Sequence, residues 1–178
     1  VNSSSGLYTA PASAGSATVR VTDSLGNTSN ASVTILAVLA ISPSSITLAV
    51  NNTTTFTATG GSSPYTYSVV AGSGSVNSST GLFTAPSSAG TTTVRVTDNL
   101  GSTSDATVTI NAALQISPAS QTLTPNQTVT FSTTGGVSPF TYSIQSGVGS
   151  INSSSGLYTA PGSSGSAVVL VTDSLSNT

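Results

Sequence analysis

An aspartate recurs at Asp23, Asp98 and Asp173, at a fixed step of 75 residues, inside the near-identical stretches VTDSLGNT, VTDNLGST and VTDSLSNT. Carboxylates set among Asn side chains and backbone carbonyls are calcium chemistry, because that cation gathers about six to eight oxygen ligands. The sequence is short of them: the only other carboxylate is Asp105, present in one copy alone. An Asp that opens a turn closed by Gly26 or Gly101 fits a type I turn instead, its side chain capping nearby N–H groups. The turn is the stronger reading, with Ser176 in the glycine's place in the last copy. The residues therefore assign no catalytic, cofactor-binding or metal site.

Arg20 and Arg95 stand three residues before two of those aspartates, and Leu170 replaces the arginine in the last copy. Residues i and i+3 of a strand point to opposite faces, so an ion pair within one strand is not expected. A solvent-facing arginine with its stem along the sheet is the simpler role, and a contact with a neighbouring subunit the alternative. Tyr8, Tyr65, Tyr67, Tyr142 and Tyr158 could form a sugar-stacking platform. Their alternating placement favours the core. Asn2, Asn27, Asn30, Asn51, Asn52, Asn77, Asn126 and Asn152 each begin an N-x-Ser/Thr triplet, the acceptor pattern for N-linked sugar. A chain this rich in Asn, Ser and Thr produces such triplets by composition, and O-linked sugar is equally open.

Catalysis is not expected. Acid–base chemistry, activated nucleophiles and tight transition-metal sites draw mainly on His, Cys, Lys and paired carboxylates, and the first three are absent. Without Lys, no Lys–Asn isopeptide bond can form. Charged residues make up 3% of the chain, against about 25% in ordinary soluble domains. A net charge of −2 offers no electrostatic footprint for nucleic acid or an anionic membrane. The longest apolar run, Ile35 to Ile41, is far below the roughly 20 residues of a membrane-spanning helix.

Those side chains must be positioned by a repeated unit. VNSSSGLYTAP at Val1, VNSSTGLFTAP at Val76 and INSSSGLYTAP at Ile151 share the 75-residue step, long enough for each copy to hold its own core. The phase divides the chain into 1–36, the C-terminal part of one repeat; 37–111, a complete repeat; and 112–178, a repeat without its last strand. In the middle copy, Ile46–Val50, Thr54–Ala58, Tyr65–Val69, Val76, Leu82–Pro86, Val94–Val96 and Ala106–Ile110 read as strands. Apolar residues alternate with Thr and Ser within them, and Gly/Pro/Asn/Asp turns divide them. About seven short strands in such a length is the pattern of an antiparallel β-sandwich. Either Leu82 or Phe83 must face the core, and alternation alone does not choose.

Together ISPSSITL, FTATGGSSPYTYSV, GLFTAP, VRVTDNLG and ATVTI resemble the bacterial immunoglobulin-like repeats strung in tandem through very large cell-surface and secreted proteins. The resemblance implies an extracellular or cell-surface fibre or stalk with no chemistry of its own. An adhesin for carbohydrate or a surface protein, or a spacer in a secreted or phage tail protein, is the alternative. The partners expected are further copies or a longer repeat chain, with glycans possible. Two further expectations concern the joints and the ends. The links Ile35–Ile41 and Ile110–Ile116 contain no Gly and are expected to be rigid, unlike Gly/Ser linkers. The outermost pieces are expected to be completed by chain continuation or by a donated strand.

Overall fold

Alternation of Val, Ile and Ala with Thr and Ser gives strands an apolar and a wet face, and nothing in the sequence sustains a helical stripe. The computed structural model describes all residues from 1 to 178 and holds 18 strands and no helix. Strand pairing falls into three sets that never cross. The first is the antiparallel hairpin β1 (Gly15–Thr22) and β2 (Thr28–Ile35).

The second set comprises β3 (Ala40–Ser42), β4 (Ser45–Ala49), β5 (Thr53–Thr55), β6 (Thr57–Thr59), β7 (Thr66–Ala71), β8 (Ser75–Val76), β9 (Leu82–Thr84), β10 (Gly90–Thr97) and β11 (Thr103–Asn111). One sheet has the order β4-β11-β10-β7; facing it are β3-β6 and β5-β9-β8. This is a β-sandwich with Ig-like layering, two sheets closing over one core. One pairing departs from the antiparallel expectation, since β4 runs parallel to β11.

Twelve buried residues form that core, among them Phe56, Phe83, Val94, Val96 and Val108. Phe56 and Phe83 meet edge to face with ring centroids 6.3 Å apart, the geometry the aromatic quadrupole favours. The structure thus puts Phe83 inside and leaves Leu82 exposed. The strand expected over Thr54–Ala58 is broken at Phe56, where the backbone N–H leaves the ladder and donates to Gly81 O at 2.9 Å. The break lets β5 pair with β9 and β6 with β3. Thr92 is a buried polar residue on the inner face, and its Oγ1 donates to Ser73 O at 2.5 Å.

The third set repeats the plan with β12 (Gln115–Ser117), β13 (Thr128–Thr130), β14 (Ser132–Thr134), β15 (Thr141–Gly147), β16 (Ser150–Ile151), β17 (Leu157–Thr159) and β18 (Ala167–Thr172). Tyr142, Tyr158 and Val171 are buried here, but Phe131, the counterpart of Phe56, is only half-buried.

Candidate functional site: the aspartate turn and the joint

Two of the aspartate turns, those of Asp98 and Asp173, lie beside the links that join one strand set to the next, while Asp23 accepts only within its own turn. In the middle repeat Asp98 Oδ1 accepts the N–H of Leu100 at 2.9 Å and of Ser102 at 2.8 Å, closing its own turn. Its other oxygen reaches a different element and accepts the N–H of Ser62 at 2.9 Å. Ser62 follows Gly60-Gly61 in the loop between β6 and β7, and Gly61 donates its N–H to Ala37 O in the incoming link at 2.8 Å. Asn99 N–H donates back to Ser62 O at 2.8 Å. One carboxylate therefore ties turn, loop and link into a single hydrogen-bonded unit.

The next joint copies this arrangement. Asp173 Oδ1 accepts from the N–H groups of Leu175 and Asn177, both at 2.9 Å, and Oδ2 from Val137 N–H at 3.0 Å. Gly136 N–H donates to Ala112 O at 2.9 Å. Ser176 adopts φ 64° and keeps the turn despite lacking the glycine. The joints differ in the side-chain bonds at the glycine pair. Tyr65 Oη donates to Gly60 O at 2.6 Å, whereas Phe140 in the tyrosine's place has no hydroxyl to donate. Asn111 Nδ2, at the end of β11, donates to the carbonyl of Gly136, the counterpart of Gly61, at 2.8 Å. That last bond crosses directly from the middle strand set to the third. Thr34, Leu36, Val38, Leu100 and Ser102 help line an open cleft of about 450 Å³ at the first joint.

Electrostatics follow from donor count. Burial opposes ionisation of Asp98, yet the N–H groups of Ser62, Ser102 and Leu100 outweigh it and hold the carboxyl below its usual range. For Asp173 burial is again the opposing effect, overcome first by the Asn177 side chain and then by backbone donors. Asp23 is lowered chiefly by the Asn27 side chain, which donates to Oδ2 at 2.8 Å. All three aspartates thus accept N–H groups, as the turn reading requires.

Arg95 has a partner that sequence reasoning missed. Its Nε and Nη2 donate to the two carboxylate oxygens of Asp105, each at 2.7 Å, because β10 and β11 place the residues directly opposite each other. The guanidinium holds Asp105 below the carboxylate range. In β1 and β2 the same register sets Arg20 against Asn30, with Nε donating to Oδ1 at 3.0 Å. Tyr67, Tyr142 and Tyr158 are buried, while Tyr8 and Tyr65 are half-buried. A second cleft, about 380 Å³, lies between Gln121–Pro125 and Tyr158, Ser166 and Val169 and carries no charged side chain.

No protein-family model and no curated protein matches the chain. Among solved structures it is similar to a C-terminal fragment of intimin in complex with the translocated intimin receptor, at 22% identity and TM-score 0.48, over 64% of this chain and 45% of that one. It is also similar to the N-terminal eight Ig domains of the Down syndrome cell adhesion molecule, at 12% identity and TM-score 0.42, over 90% of this chain and 31% of that one. Protocadherin gamma B2 cadherin domains 3–6 give 14% identity and TM-score 0.31, over 90% and 55%. The chain spans less than half of the intimin fragment. The fold assignment rests on the strand pairing and burial above.

Proposed function

We propose that the chain is a stretch of an extracellular stalk or fibre, in which tandem Ig-like repeats bounded at 1–36, 37–111 and 112–178 act as spacers held at fixed angles. The observation that supports this is the repetition of one joint: Gly61 N–H to Ala37 O at 2.8 Å, and Gly136 N–H to Ala112 O at 2.9 Å, each with an aspartate turn bonded to the same loop. A module selected for its loops would vary them between copies, whereas the turns at 2–6, 77–81 and 152–156, NSSSG, NSSTG and NSSSG, are nearly invariant. No chemistry of its own is assigned to the stretch. The resemblance to bacterial surface repeats agrees with this reading.

Solution scattering from the chain tests it. Strands of about six to eight residues at ~3.3 Å each, plus a link, give a rise on the order of 35–40 Å per repeat. A narrow distribution of inter-repeat angles is expected. A broad distribution, as random-coil linkers produce, overturns the reading.

A further inference from the structure

Eight asparagines begin acceptor triplets, and the fold separates them. Asn2, Asn77 and Asn152 each spend Oδ1 on two backbone N–H groups of the following turn. Asn27 donates Nδ2 to Asp23, and Asn30 Oδ1 accepts from Arg20. Asn51 and Asn126 are different. They are period-related, exposed, without a side-chain hydrogen bond, and seated at the same turn between successive strands with φ 63° and 64°. Asn is among the few residues that tolerate that left-handed conformation. Thr53 and Thr128, the third residues of the two triplets, are exposed as well.

We propose that Asn51 and Asn126 are N-glycan acceptors, one per repeat. The co-reactant is a lipid-diphosphate-linked sugar: Nδ2 bonds to the anomeric carbon, the C–O bond to the diphosphate breaks, and the lipid diphosphate leaves with the electron pair while Nδ2 gives up one proton. The turn adjoins the end of β11, where Val50 N–H donates to Asn111 O at 3.1 Å. A sugar at Asn51 would therefore stand beside the joint with the next repeat and hydrate a surface that has almost no charge of its own. Asn52 begins a triplet too, but its counterpart is Gln127, so it cannot supply a repeating site.

The inference rests on the extracellular reading only in requiring export. The test is glycopeptide mass spectrometry of the protein purified from its own cells, digested with a broad-specificity protease and paired with surface labelling of intact cells. Sugar mass on Asn51 and Asn126, and none on Asn2, Asn27, Asn30, Asn52, Asn77 or Asn152, is expected. Bare Asn51 and Asn126 on a surface-labelled protein overturn the proposal and leave the spacer reading standing; failure of surface labelling overturns both. Asn51→Gly keeps the left-handed turn and should lose the sugar with an unchanged melting curve, whereas Thr53→Ser should retain it. Retention of sugar on the repeat in Asn51→Gly, or its loss in Thr53→Ser, also counts against the assignment.

Discussion

A Cβ built on Gly60 would stand 2.1 Å from the carbonyl oxygen of Val38, in the link that enters the middle repeat. Gly135 has the same relationship to Ala113 O, at 2.0 Å. Both glycines also have positive φ, 70° and 68°, so two independent constraints exclude a side chain. The approach of link to loop depends on glycine because backbone meets backbone there.

Gly60→Ala should therefore destabilise the middle repeat by about 1–3 kcal/mol, the usual cost of forcing a residue into a sparsely populated conformation. It should also widen the inter-repeat angle distribution in solution scattering. A variant with an unchanged melt and unchanged scattering would contradict the close approach.

Phe56→Ala should cost its repeat roughly 3–5 kcal/mol in denaturant unfolding, since a fully buried ring leaves a cavity. Phe131→Ala should cost less, because that ring is only half-buried. Repeat-specific transitions, followed by proteolysis or hydrogen exchange, separate the two sites. Equal losses would mean that the third core is as closed as the second.

Acid should loosen the joints. Asp23, Asp98, Asp105 and Asp173 all have folded-state values below the ordinary 3.8. A depressed carboxyl contributes stability that is fully present above the unfolded value and lost as pH falls through the folded one. The melting temperature should hold above about pH 5 and fall below roughly pH 4. Asp98→Asn, which keeps one acceptor oxygen but cannot accept Ser62 N–H with the other, should melt lower at pH 7 and show a smaller acid-induced drop.

Arg95→Leu should leave the melting curve almost unchanged despite the bidentate pair with Asp105. Both side chains are more than a third exposed, and solvated ion pairs contribute little. The third repeat already carries Leu170 at this position. A large loss would show that the pair does more than decorate the outer face.

Much of the fold was legible in the alternation of residues. Val94, Val96, Ala106, Val108 and Ile110 face inward as their spacing requires, and the aspartates cap the turns that their position before glycine implies. What escaped were relationships between distant segments. Arg95 and Asp105 meet across two strands, which a search within one strand cannot find. Leu82 and Phe83 were equivalent until the pairing of β9 with β5 set Thr54 opposite Phe83. Gly60-Gly61 falls among the Gly-rich segments that divide the strands, but Gly60 also lets the Val38 carbonyl pass, and no local pattern encodes that. The aspartate's second oxygen escaped for the same reason, since Ser62 lies 36 residues away.

The parallel pairing of β4 with β11 has a mechanical consequence. β4 lies near the point where the chain enters the middle repeat, and β11 ends where it leaves. Tension applied through the neighbouring repeats pulls these two strands in opposite directions along their own length. The ladder from Thr107 opposite Ser45 to Asn111 opposite Ala49 is then sheared as a block, all its bonds stretched together, rather than unzipped one at a time. A repeat built this way resists extension through the arrangement of its strands, with no covalent cross-link needed.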